Sequence, residues 1–266
     1  MCRAAFAATS SGLRCASGHA FDRARQGYVN LAAGLGRAGL GADDAAAVEA
    51  RATFLTAGHF RPVVEAVVTA AAVWPGGLVV DAGSGPGHYL AAVLDALPES
   101  EGLAIDSSAP ALRRAARCHP RAGAVGWDLR EPLPLADDCV GLVLNVFAPR
   151  NGAEYARVLR GDGALLVVTP GPGHLAELVA ALGLISVDAD KPARLAASLG
   201  PWFEPVSTRR VTASMSLTRD AVAAVVGMGP NAHHVGAGEL VARVGLLAEP
   251  VTVTLEVDVS VSRPRP

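Results

Sequence analysis

The chain has 266 residues, about half of them apolar, which is enough for one or two domains with a substantial core. Its net charge of −2 excludes indiscriminate binding to nucleic-acid phosphates, and only four cysteines in so long a chain exclude a disulfide-rich scaffold, so a reducing, cytoplasmic setting is expected. The most apolar stretch, Pro62–Val80, is broken by Glu65 and Pro75, and no charged-then-apolar leader opens the chain, so no membrane association is expected.

The N-terminal forty residues are basic. Arg3, Arg14, Arg23, Arg25 and Arg37 stand against Asp22 alone, on an otherwise acidic chain, which reads as local phosphate contact or as ordinary fluctuation among few charges. Within them Cys15-Ala16-Ser17-Gly18-His19 has the C-x3-H spacing of a zinc half-site, in which two donors converge around a glycine turn. Cys2 supplies a third donor where structural zinc takes four; the alternative reading is two unrelated cysteines and a surface histidine. The glycine-rich stretch 34–41 reads as a linker, dividing a small domain, 1–36, from a large one, 37–266.

Asp43 or Asp44 can cap a helix over Ala45–Ala57 that Gly58 ends, and a second helix, about Pro62–Val73, stops before Pro75-Gly76-Gly77. Strands are then predicted at 78–81, 102–105, 122–126, 140–146 and 163–169, with helices near 88–97, 109–117, 152–160 and 173–182. Such alternation means crossover units and a mainly parallel, doubly wound α/β sheet. The tail differs. Segments near 204–217 and 249–262 alternate polar and apolar residues as half-buried antiparallel strands do, with helices near 191–199, 219–227 and 237–245.

The first strand of the alternation carries the chemistry. Leu78-Val79-Val80 ends in Asp81, and Gly83, Gly85 and Gly87 follow at alternate positions, so the backbone can curl closely under a ligand with its N–H groups free. Asp106 ends the next strand, where an acid can take both hydroxyls of a ribose. The spacing is not the G-x-G-x-x-G of dinucleotide folds, and no lysine follows, which excludes a phosphate-cradling loop. Asp81-x-Gly83-x-Gly85-Pro86-Gly87 resembles motif I of the S-adenosylmethionine methyltransferases.

Longer runs narrow the resemblance. Cys15 to His19, Phe21 through Gly27-Tyr28-Val29-Asn30-Leu31, Ala50-Arg51-Ala52-Thr53-Phe54-Leu55-Thr56-Ala57-Gly58-His59-Phe60, Asn145-Val146-Phe147-Ala148-Pro149-Arg150-Asn151, Thr169 through His174-Leu175, and Met228-Gly229-Pro230 resemble the 23S rRNA guanine-N1-methyltransferases along essentially the whole chain. They are nearest its Gram-positive, macrolide-resistance branch. The resemblance implies a Rossmann-like class I methyltransferase sheet, mainly parallel with an antiparallel C-terminal strand, preceded by a zinc-ribbon-like domain. It also implies S-adenosylmethionine and structural zinc as cofactors, 23S rRNA as partner, and a homodimer. The family's ribbon reads C-x2-C, twelve residues, then C-x3-H. Cys2, Cys15 and His19 keep that spacing, and the first cysteine would fall before Met1. A start upstream of Met1 is the expectation, and a weakly metallated ribbon the alternative.

On this reading Gly83, Gly85, Pro86 and Gly87 pass under the methionine part of the cofactor. Asp81 holds its amino group through water, or caps the following helix. Asp106 takes the ribose. Asp128 takes the adenine amino group, or is a surface turn residue. Phe60 packs on the cofactor, or only in the core. Asn145, Phe147 and Arg150 form the candidate substrate pocket, with Phe147 stacking a base and Arg150 taking a phosphate. The alternative there is a proline-stiffened loop with Phe147 half buried. His174 approaches the cofactor or caps a helix, and His233-His234 line the base pocket. Cys118, His119 and Cys139 read as structural. No residue is singled out as the base that removes the guanine N1 proton. Two other functions stay open: a small-molecule methyltransferase with a vestigial ribbon, and a non-catalytic ribosome-binding protein.

Overall fold

A strand covered on both faces shows no alternation, and Val140–Val146 is of this kind, with every residue buried. A computed structural model describes residues 4–32, 43–74, 76–185, 191–229 and 237–266. Val140–Val146 is β8, at the centre of an eight-stranded sheet of order β10-β11-β9-β8-β5-β6-β7-β4. Its other members are β4 (Val29–Asn30), β5 (Leu78–Ala82), β6 (Glu101–Asp106), β7 (Ala122–Gly126), β9 (Leu159–Pro170), β10 (Phe203–Leu217) and β11 (Val251–Pro264). Every pair from β4 to β9 is parallel, whereas β11 is antiparallel to both β9 and β10. So β11 alone runs against the rest. The chain order reverses between β5 and β8, and ligands of open α/β sheets bind beyond the strand ends at such a switch point.

Alternate residues of the central strands feed two cores. On one face Leu144 and Leu166 pack with Phe54, Val67, Leu90 and Val225, brought by α1 (Ala45–Thr56), α2 (Arg61–Ala71), α3 (His88–Ala96) and α8 (Arg219–Gly227). The same core takes Leu112 of α4 (Ala109–Ala115), Leu178 of α6 (Ala176–Leu182) and Leu240 of α9 (Ala237–Gly245). On the other face Val143 and Leu165 meet Tyr155 of α5 (Gly152–Val158), Leu199 of α7 (Lys191–Leu199), and Phe203. In β11 only the odd-numbered residues 253–261 are buried, which is the half-buried alternation read in the sequence.

One of two expected caps is chosen, and two expected boundaries moved. Asp44 caps α1 by accepting the Ala47 N–H at 2.8 Å, which leaves Asp43 to pair with Arg51. The helix expected to reach 160 stops at Val158, because Leu159 is extended and pairs with Val140, so β9 begins earlier than 163. The helix expected from 173 begins at Ala176, because Leu175 is left-handed and its N–H bonds Thr254 of β11 at 2.8 Å.

The N-terminal residues fold as a three-stranded antiparallel sheet, β1 (Phe6–Ala8), β2 (Gly12–Cys15) and β3 (Ala20–Asp22). Phe6 and Phe21 meet edge-to-face at 5.7 Å to close its small core. This unit is hydrogen-bonded to the large sheet. β4 pairs with β7, and the N–H groups of Leu31 and Ala32 both reach the Gly126 carbonyl. A side chain at Gly126 would collide with Asn30 at 2.7 Å, so the glycine admits β4 to the edge. No helix among the described residues is long and apolar enough to cross a membrane. Cys2, the 34–41 linker, Pro230 and His233-His234 lie outside the described residues.

Candidate active site

Beyond the ends of β5, β6 and β8 lies a cleft of about 850 Å3. Its floor is the turn from β5 into α3. Gly83 and Gly87 have φ of 84° and 83° there, which L side chains rarely adopt. A Cβ on Gly83 would fall 2.3 Å from that of Ala148, and one on Gly87 would fall 2.8 Å from Cys118 Sγ. Gly83 and Gly87 are thus required by both conformation and space, Gly85 by its φ of 53°, and Pro86 lines the cleft between the last two.

Two acids flank the turn. Asp106 Oδ2 accepts the Gly85 N–H at 2.8 Å, and Oδ1 accepts the Ser108 N–H at 2.8 Å. Each oxygen keeps a further lone pair, and Asp106 lines the cleft, as a group binding a diol needs. Burial pushes its carboxyl above the usual range, against these two bonds. Asp81 is only 1% exposed, and its Oδ2 has no hydrogen-bond partner among the described residues. Burial, reinforced by the charge of Asp106, raises its carboxyl to about 7. Tyr89 lies beside it with a buried hydroxyl that likewise has no partner among the described residues. An orphaned, dehydrated carboxylate is a site for a cation. An ammonium group at one end of a ligand and a ribose at the other fit this donor set.

The cleft wall joins residues far apart in sequence. Phe60, just before α2, is buried in the core and also lines the cleft. Phe147 ends β8 with a φ of 55° and is 42% exposed, an exposed aromatic held in a strained conformation. His174 lies in the turn after β9, where Nδ1 accepts the Glu256 N–H at 3.3 Å. The ring centroids form a near-equilateral triangle: Phe60–His174 5.9 Å, Phe60–Phe147 6.1 Å and Phe147–His174 6.1 Å. His174 therefore lies in a turn against the aromatic wall and does not cap a helix.

Arg150 is half-buried and lines the same cleft, and its buried Nε has no partner among the described residues. Burial lowers the pKa of its guanidinium. Asp128 lines the cleft beyond β7 and is chelated by Arg130, through Nε at 3.0 Å and Nη2 at 2.9 Å. Asn145 departs from its expected place. It is wholly buried beneath the cleft, and its Nδ2 donates to the carbonyls of Ala82 (3.2 Å) and Pro149 (2.8 Å). It braces the Phe147–Arg150 loop from below, so it is a positioning residue and not part of the lining. Tyr89, Arg51 and Met228 line the cleft but had no site role in the sequence reading. Tyr89 follows the glycine run directly and Arg51 stands in a specific motif, so both had a local signal.

In the small sheet, the Gly18 N–H bonds the Cys15 carbonyl at 3.0 Å, folding the C-x3-H run into a tight turn. Cys15 Sγ then stands 3.3 Å from His19 Nδ1. Zinc bonds of about 2.3 Å to sulfur and 2.0 Å to nitrogen would place two tetrahedral ligands about 3.5 Å apart, so this pair fits half of a site. Among the described residues, no group of three or more His, Cys, Asp or Glu could hold a metal. Cys2, the third expected donor, lies outside them.

Three comparisons bear on this geometry. A zinc-ribbon family described as RlmA, N-terminal, matches residues 1–32. A protein of Micromonospora griseorubida assigned as a 23S rRNA (guanine-N1)-methyltransferase is 53% identical over 97% of this chain and 92% of its own. The 23S rRNA (guanine(748)-N1)-methyltransferase of Streptomyces fradiae is 46% identical over 100% of this chain and 95% of its own. Among solved structures, a protein from Bacillus halodurans C-125 assigned as a methyltransferase aligns with a TM-score of 0.51 at 16% identity, covering 74% of this chain and 97% of that one; it speaks to the fold alone.

Proposed function

The chain belongs to the family of 23S rRNA (guanine-N1)-methyltransferases, and we propose that it moves a methyl group from S-adenosylmethionine to N1 of a guanosine in a hairpin loop of 23S rRNA domain II. One observation carries the reading: a glycine floor flanked by Asp81 and Asp106 opens into the same cleft as the exposed ring of Phe147. A cofactor half and a base half are contiguous there. S-adenosylmethionine, when bound, supplies a methyl group on a positively charged sulfur, so the protein's work is mainly orientation.

Asp81 meets the cofactor's ammonium group and Asp106 its ribose, while Asp128 meets the adenine amino group. Phe60 and His174 pack against the cofactor from the aromatic wall. Phe147 stacks the target guanine. Its N1 is hidden in a duplex, so the base comes from a loop or is flipped out. Arg150 takes a phosphate beside the flipped base, and Asn145 holds the loop that carries both residues. The small sheet, with Cys2, Cys15 and His19 toward structural zinc, brings Arg14, Arg23 and Arg25 to the RNA. The strand that follows it, β4, pairs with β7, which supports a fixed distance between that RNA contact and the cleft. We assign the working form as a cytoplasmic homodimer, on the family resemblance alone.

Primer extension tests the reading. Unmodified 23S rRNA is incubated with the protein and S-adenosylmethionine, and N1 methylation blocks pairing, so reverse transcriptase halts beside the product. A cofactor-dependent stop in a domain II hairpin loop is expected, with guanosine 748, the site in the Streptomyces fradiae enzyme's name, examined first. No stop anywhere in 23S rRNA, with the cofactor bound, would refute the substrate and favour a small molecule.

A further inference from the structure

The run Ala50–Phe60 contains a charge that the roles above leave unused. Arg51, on α1, lines the cleft and lies over the glycine turn, with Nη1 and Cδ 3.4 and 3.5 Å from where a Cβ on Gly85 would stand. Its guanidinium pairs with Asp43 and donates to the Met228 carbonyl beyond α8. Asp43 is itself anchored, since its carbonyl accepts the Ser108 hydroxyl at 2.7 Å. Arg51 thus joins α1, the start of α4 and the end of α8 above the glycine floor. Its charge bears on both Asp106 and Tyr89, so it stands among the acids of the site.

This end of the cleft is crowded with carboxylates: Asp43, Asp81 and Asp106 all line it. An amino acid placed with its ammonium group at Asp81 brings its own carboxylate into that negative field. Such a ligand needs a cation there. Arg130 is chelated by Asp128, Arg150 follows Phe147 on the base side, and Arg194 comes from α7, on the opposite face of the sheet from α1. A guanidinium has five N–H donors, and the two bonds above leave three, in a planar fork that suits a carboxylate.

We propose that Arg51 is the carboxylate-binding residue of this site, taking the α-carboxylate of the cofactor's methionine moiety above the glycine turn, with Asp43 and the Met228 carbonyl orienting its guanidinium. The proposal rests on the reading that S-adenosylmethionine occupies the cleft. It makes Arg51 a residue that recognises the amino-acid end of the ligand, distinct from the ribose recognition of Asp106.

Calorimetric titration with three ligands tests it: S-adenosylmethionine, its decarboxylated analogue (which keeps the amine and the sulfonium), and 5′-methylthioadenosine, which lacks the amino-acid part. Arg51→Ala should weaken S-adenosylmethionine about tenfold to a hundredfold, the range of a charged hydrogen-bonded contact, and leave the other two within about twofold. Equal weakening of S-adenosylmethionine and the decarboxylated analogue would overturn the proposal, since Arg51 would then only brace α1 against α8. If Arg51→Ala loses methylthioadenosine as well, its cleft has collapsed, and Arg51→Gln, which keeps most of the side chain without the charge, is judged by the same two criteria. Failure of the unmodified protein to bind any of the three would instead refute occupation of the cleft by this cofactor, and the proposal with it.

Discussion

Replacing Asp81 by Asn should stabilise the cofactor-free protein at alkaline pH and impair cofactor binding. Asp81 is wholly buried with an orphaned Oδ2, and its carboxyl is held at about 7 instead of 3.8. Between these values the folded protein keeps a proton that the unfolded chain has released, so stability falls as pH rises through that window. At about 1.4 kcal/mol per pH unit, ionised Asp81 costs the cofactor-free fold on the order of 4 kcal/mol above pH 7. Asn has nearly the same shape and no charge to bury. Thermal melts of both proteins at pH 5 and pH 8 read the difference directly. Only the two units from pH 5 to pH 7 count, so the variant should gain just under about 3 kcal/mol on the parent between the two pH values, or roughly 5–11 °C at 2–4 °C per kcal/mol for a chain of this size. Saturating S-adenosylmethionine should shrink that gain, because its ammonium group pairs with the ionised carboxylate. The cofactor's affinity for the parent should rise up to about tenfold per pH unit toward pH 7, then level as the cofactor's own amine approaches its pKa near 8. A melting difference identical at pH 5 and pH 8 would refute the reasoning, since Asp81 would then not change ionisation in the fold.

Four further outcomes are expected. Asp106→Ala should weaken S-adenosylmethionine binding about tenfold or more by removing two hydroxyl contacts, and unchanged affinity in calorimetry would refute the ribose assignment. Arg23→Ala with Arg25→Ala should weaken RNA binding and lower the slope of log affinity against log salt by about 1.5, whereas an identical slope would mean that neither arginine touches a phosphate. His19→Ala should lose bound zinc, measured by metal analysis of the purified protein, and equal metal in parent and variant would exclude it as a ligand. Gly87→Ala combines a φ of 83° with a 2.8 Å clash against Cys118, so a loss of about 2 kcal/mol or more is expected in denaturant melts.

Much of this protein was legible without coordinates. Short apolar runs ending at Asp81 and Asp106, the alternate glycines, and the proline and glycine breaks are local signals, and they marked out the strands from β5 onward and the acid pair. The reading weakened where a residue's state depends on distant partners. Leu159 reads as helix until Val140 is seen to pair with it, and His174 reads as a helix start until Glu256 and Thr254 of β11 hold its turn. Asn145 has the motif position of a pocket residue, but its amide nitrogen is turned beneath the loop to Ala82 and Pro149.

By itself, then, the sequence determined that a nucleoside-binding α/β sheet follows a small basic unit with a C-x3-H turn, because nearest neighbours suffice to encode strands, turns and their spacing. Only the tertiary structure decided which side chains share the cleft. Phe60, Phe147 and His174 become one aromatic wall, and Arg51 meets Met228 across 177 residues of chain. The pairing of β4 with β7, which ties the N-terminal unit to the catalytic sheet, was likewise a tertiary outcome. Such contacts depend on how whole elements pack, and no spacing along the chain encodes that.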